Sequence, residues 1–116
     1  MNILITGGSG FLGKHFLKRL RNSDYNLLEI SRSATPAQKN LISINASIDH
    51  LDSYRAEIIK FDPDVVVHLA WGGIPDFSPA NCKLNLFSSI EFFNFLFKNT
   101  NCKKFLTTGS CFEYGK

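Results

Sequence analysis

Four glycines fall within the segment Thr6-Gly7-Gly8-Ser9-Gly10-Phe11-Leu12-Gly13, and they separate two apolar patterns of different period. Before them, Ile3-Leu4-Ile5-Thr6 is a short continuous run that predicts a buried strand. After them, Phe11, Leu12, Phe16, Leu17 and Leu20 recur at helical spacing, and Asn22-Ser23-Asp24 closes the helix. Few folds lead a buried strand through a glycine turn directly into a helix. In those that do, Gly7 permits the tight turn, Gly10 lets a diphosphate approach the backbone, and Gly13 lets the helix pack closely on the sheet. The start of such a helix also carries unbonded N–H groups and partial positive charge. The segment therefore predicts a seat for the pyrophosphate of a dinucleotide.

The alternation of strand and helix continues along the chain. Leu27 to Ile30 predicts a second strand, residues 32–40 with Pro36 a loop, and Leu41 to Asn45 a third strand. Ile48, Leu51, Tyr54, Ile58 and Ile59 mark an amphipathic helix, which Asp62-Pro63-Asp64 ends because proline lacks an N–H and forces its predecessor to extend. Val65 to Ala70 reads as a strand buried on both faces, Asn81 to Lys98 as a helix, and Lys104 to Thr108 as a fifth strand. This pattern predicts an α/β fold: a Rossmann-type doubly wound parallel sheet of about five strands in the order 3-2-1-4-5, in three α/β/α layers. The second crossover is the exception, since residues 33–40 show no helical period. With 116 residues and no linker or composition shift, residues 1–116 form one domain.

Composition removes other classes of function. Thirteen Lys and Arg against ten Asp and Glu leave a net charge of +3. Only Lys14, Lys18, Arg19 and Arg21 cluster, on one helix, as a solvated face; no nucleic-acid partner is expected. Cys82, Cys102 and Cys111 form no CxxC pair, so neither a disulfide framework nor a metal site is expected, and free thiols suit a reducing cytoplasm. His68 has no second ligand spaced to join it and reads as a hydrogen-bonded strand-end histidine. No apolar run approaches the roughly 18 residues of a spanning helix, so no membrane partner is expected.

The glycine segment resembles the TGxxGxxG of the extended short-chain dehydrogenase/reductases, the NAD-dependent epimerase/dehydratase family that acts on nucleotide sugars. His68-Leu69-Ala70-Trp71 is similar to that family's HLAA at the end of strand four, and Asn85 to an Asn of its next helix. The segment from Lys104 to Gly115 resembles the family's RFVYTSSAAVYG and sets Ser110 on its catalytic Ser/Thr, whose hydroxyl bonds the sugar oxygen beside a YxxxK pair. The resemblance implies cofactor contacts from Gly7, Gly10, Phe11, Leu12, Gly13, Ser31, Arg32, Leu69, Ala70, Trp71 and Asn85.

Three departures narrow the reading. An acid at the end of strand two would bind the ribose 2′-hydroxyl of NAD, whereas Ser31-Arg32-Ser33 suits the 2′-phosphate of NADP; NADP is expected in preference to NAD, though Arg32 also fits a solvent-facing role. After strand three, Asn45-Ala46-Ser47-Ile48 replaces the family's usual Asp. Dehydratases of the family carry Thr-Asp-Glu where this chain has Ser110-Cys111-Phe112, which removes the acid that protonates a leaving hydroxyl. The expectation is thus a 4-epimerase or 4-ketoreductase of surface-polysaccharide sugars, working by hydride transfer at a ring carbon. Tyr114 and Lys116 lack the i, i+4 spacing of the catalytic pair, so the chain is expected to be the first part of a longer enzyme and inactive alone. The other reading is a non-catalytic dinucleotide-binding or redox-sensing module. Eleven Phe residues include five on the 81–98 helix. Leu86, Ile90, Phe93 and Phe97 are expected to pack on the sheet, and the aromatics left over to be covered within the chain or by a homodimer.

Overall fold

A computed structural model of the chain describes residues 1–109. Five strands, β1 (Asn2–Thr6), β2 (Asn26–Ser31), β3 (Leu41–Asn45), β4 (Val65–His68) and β5 (Lys104–Thr107), form one sheet in the order β3-β2-β1-β4-β5. Every pairing is parallel; Leu4 lies between Leu28 and Val66, and Ile5 between Glu29 and Val67. Three α-helices cover the sheet: α1 (Phe11–Leu20), α2 (Arg55–Phe61) and α3 (Pro79–Asn99).

The strand period of two divides the core between the two faces. Ile3, Ile5, Leu27, Leu41 and Val67 point one way and pack with Leu17 of α1. Leu4, Leu28, Ile30 and Val66 point the other way and pack with Tyr54, Ile58 of α2 and Phe92, Phe95 and Leu96 of α3. These are the three layers that alternating strands and helices demand. Each fully buried Leu, Ile or Phe contributes roughly 1.5–3 kcal/mol, so both faces are required for a stable sheet.

The segment read as one helix from Ile48 to Ile59 divides into a 3-10 turn at Leu51–Ser53 and α2. Asp62 ends α2 in a left-handed conformation (φ 47°), donates its N–H to the Ile58 carbonyl, and accepts from the Asn101 backbone and side-chain N–H groups. Between β2 and β3 the chain crosses through loop 32–40 without a helix.

The inward face of α3 differs from the expected one. Asn85, Ser88, Phe92, Phe95 and Leu96 are buried, whereas Leu86, Ile90 and Phe97 are exposed and Phe93 is half-buried. The buried positions do form a helical stripe, but its first half is polar. Asn85 and Ser89 have partners on the sheet side, and meeting them rotates Phe92 and Leu96 inward. An apolar count alone misses a stripe of this kind.

Candidate functional site

The carboxyl ends of the parallel strands open on a cleft of about 290 Å³. Its floor is the turn from β1 into α1. Gly7 takes a left-handed conformation (φ 74°) and donates its N–H to the Ile30 carbonyl at 3.0 Å, tying the turn to β2. A side chain on Gly13 would run into the Gly7 carbonyl oxygen and the Gly8 backbone, so α1 can sit this close only with glycine there. Gly10 differs from both: its backbone is extended (φ −72°, ψ 176°), and an added Cβ would meet only the Gly7 oxygen, at 3.3 Å. A side chain there asks the Gly7 carbonyl to give by a few tenths of an ångström, so the fold constrains residue 10 far less than residue 13, and the bare backbone leaves the cleft open to a ligand.

α1 starts with no side-chain cap and no acid in its first turn, while Lys18 and Arg19 occupy its last turn. Its first N–H groups and the positive end of its dipole are therefore left to a ligand, while the two cations offset the negative end.

Around this floor, the cleft is lined by Gly7, Gly10, Phe11, Leu12 and Gly13, by Ser31 and Arg32 after β2, and by Leu69, Ala70 and Trp71 after β4. Ten of the expected contacts thus converge on one crevice. Ser31 donates its hydroxyl to Ser9 at 2.6 Å and accepts the Ser33 N–H at 3.3 Å. Arg32 is exposed at the rim and joins no ion pair among the described residues. Ala46, Ser47 and Ile48 supply the wall after β3, and Ile74 the wall beyond Trp71. None of these four was expected as a cofactor contact, although Ala46, Ser47 and Ile48 stand where the family carries an Asp; the signal was their place after a parallel strand's carboxyl end, where such crevices form.

Asn85 lies behind the cleft wall and does not line it. Its Oδ1 accepts the Gly72 N–H at 2.7 Å, and its Nδ2 donates to the carbonyls of Gly72 (3.0 Å) and Asn81 (2.9 Å). Asn81 adds bonds from its Nδ2 to the Gly72 and Asp76 carbonyls. Two asparagines one turn apart thereby pin the loop that carries Trp71. Ser110 lies outside the described residues.

His68 is buried and satisfied. Thr6 Oγ1 accepts the Ala70 N–H at 3.3 Å and is hydrogen-bonded to His68 Nδ1 at 2.7 Å, and His68 Nε2 is hydrogen-bonded to Ser89 Oγ at 3.0 Å, so both ring nitrogens have a partner. With Phe92, Phe93 and Phe105 around the ring, burial lowers its pKa to about 4. The neutral ring fastens β1, β4 and α3 together beneath Ala70. Among the described residues, no three His, Cys, Asp or Glu side chains group as a metal site, and no helix is long and apolar enough to cross a membrane.

A parallel sheet with this strand order, opening at a glycine turn onto an uncapped helix, defines a Rossmann-type nucleotide-binding domain. Residues 3–116 match the model of the NAD dependent epimerase/dehydratase family, and the chain belongs to that family. It is 28% identical to CDP-abequose synthase of Yersinia pseudotuberculosis over 98% of its own length and 41% of that enzyme's. Among solved structures it is similar to the Bordetella bronchiseptica enzyme WbmG in complex with NAD (26% identity, TM-score 0.86, 99% of this chain and 39% of that one). It is similar also to UDP-glucose 4-epimerase of Thermotoga maritima with UDP-glucose (27% identity, TM-score 0.80, 95% and 38%). The chain thus spans well under half the length of each of these relatives.

Proposed function

We propose that the chain is the NAD(P)-binding portion of a nucleotide-sugar 4-epimerase or 4-ketoreductase, working in a reducing cytoplasm on surface-polysaccharide sugars. The observation that carries the reading is Gly10, whose missing side chain opens the cleft more than it relieves the fold. A nicotinamide dinucleotide, when bound, supplies the hydride acceptor and donor for chemistry at a sugar ring carbon. The protein's part is placement. The first turn of α1 holds the pyrophosphate by its N–H groups. Arg32, exposed at the rim with Ser31 and Ser33 beside it, holds the 2′-phosphate, which favours NADP over NAD. Ala46 and Ile48 wall an apolar slot for the adenine ring, and Leu69, Ala70 and Trp71 flank the nicotinamide end. Ser110, by its place in the sequence, bonds the substrate oxygen. The exposed Leu84, Leu86, Phe87, Ile90 and Phe97 on α3 suit a second copy of the chain in a homodimer.

Trp71, the sole tryptophan, lines the cleft and provides the test. Reduced nicotinamide absorbs where indole emits, so titration with NADPH should quench Trp71 saturably and raise emission from the nicotinamide. Unchanged Trp71 emission at millimolar NADPH would overturn the assignment.

A further inference from the structure

Glu29 is the one buried polar side chain on β2 that the cleft does not use. It is completely buried in the middle of the strand, level with Ile5 and Ser43. Its Oε2 accepts the backbone N–H of Thr35 at 2.9 Å and the Ser43 hydroxyl at 3.1 Å. Its Oε1 is buried with no hydrogen-bond partner, and no Lys or Arg pairs with the carboxyl among the described residues. The carboxyl also lies directly under the glycine turn: a side chain on Gly8 would collide with Oε1 and come within 2.7 Å of Cδ and 2.8 Å of Cγ.

A buried carboxyl with one unsatisfied oxygen costs stability and invites a reason. Its contacts supply one. Loop 32–40 crosses from β2 to β3 where a helix would ordinarily cover the sheet, so no helical face holds it down. Thr35, three residues past Arg32, is bonded to the sheet interior through Glu29, the next anchor of the loop after the Ser33 N–H on Ser31. The same carboxyl props Gly8, next to Ser9, which accepts from Ser31. The turn keeps its own tie to β2 through the Gly7 N–H and the Ile30 carbonyl, so what depends on Glu29 is the loop that carries Arg32.

We infer that Glu29 is a positioning residue for cofactor discrimination: it fixes loop 32–40 so that Arg32 meets the 2′-phosphate, and so sets the preference for NADPH over NADH. The inference rests on the dinucleotide reading above. A brace of this kind acts through Arg32, and its loss should therefore weaken NADPH selectively. A merely structural role would weaken both cofactors alike.

The test is titration of the chain and its variants with NADPH and NADH. Glu29→Ala should lower NADPH affinity about tenfold with NADH within about twofold, a ratio change matched by Arg32→Ala and not enlarged in the double variant. Glu29→Gln keeps an oxygen for Thr35 and Ser43 and should hold the wild-type ratio. If Glu29→Ala does not fold, Thr35→Pro removes the donated N–H from the loop without touching the sheet and carries the same expectation. Equal losses for both cofactors, an unchanged ratio, or effects of Glu29→Ala and Arg32→Ala that add would overturn the inference and leave the dinucleotide reading standing. No saturable binding of either cofactor to the wild-type chain would overturn both.

Discussion

Gly10 and Gly13 lie one helical turn apart and differ in how hard the protein crowds them: a side chain at residue 13 would run into the backbone of both Gly7 and Gly8, and one at residue 10 would press on a single oxygen. A Cβ on Gly13 would overlap the Gly7 carbonyl oxygen, whereas one on Gly10 would find that same oxygen at 3.3 Å and otherwise open cleft. Gly13→Ala should therefore destabilise the fold by about 2 kcal/mol or more through overpacking. Gly10→Ala should cost less than about 1 kcal/mol yet weaken dinucleotide binding by roughly tenfold or more. Urea denaturation beside a binding titration separates the two, and a Gly10→Ala protein that binds normally would remove the main support for the site.

Burial keeps His68 neutral in the folded chain down to about pH 4, while an unfolded histidine takes up a proton near pH 6.5. Above pH 6.5 neither state is protonated and the residue has no pH-linked effect. As pH falls from 6.5 to 4, only the unfolded state gains the proton, so stability should drop by about 3 kcal/mol across that window. Replacing His68 with Asn, which can still hydrogen-bond Thr6, should flatten this part of the stability profile. An identical slope in both proteins would show that other groups govern it.

Asn85 spends its whole amide on the backbone of Gly72 and Asn81. Asn85→Ala should leave the Gly72 N–H unpaired and cost about 2 kcal/mol. Because the same bonds pin the loop holding Trp71, emission from Trp71 should shift toward that of a solvent-exposed indole. Stability lost without any change in Trp71 emission would mean that Asn85 does not order the loop.

On α3, Phe87 is 65% and Ile90 45% exposed, on the face away from the sheet. If that face joins two copies, Phe87→Asp with Ile90→Asp should give a monomer of unchanged thermal stability in sedimentation. A wild-type chain that is already monomeric at high concentration would contradict the dimer.

Strand positions and sheet order were legible because the strands are short runs with apolar residues, several of them bounded by Gly, Pro or Asx residues, and the alternation with helices leaves a parallel sheet little freedom. The glycine turn was legible for the same reason, since its spacing answers to packing that the fold fixes. What the sequence hid are positions whose value depends on a distant partner. Asn85 and Ser89 read as interruptions of an apolar helix until Gly72 and His68 are placed opposite them. Ala46, Ser47 and Ile48 read only as the replacement of an expected Asp and the start of a helix until β3 brings them across from Gly10. Glu29 looked like a polar residue in a strand, and only the fold shows that its carboxyl lies beneath Gly8 and reaches Thr35.

The central claim, that the crevice at the carboxyl ends of β1, β2 and β4 holds a nicotinamide dinucleotide, is tested most directly by calorimetric titration of the chain with NADPH and with NADH. Saturable binding to a single class of site, tighter for NADPH, is the predicted result. Absence of heat and of saturation for both cofactors would contradict it.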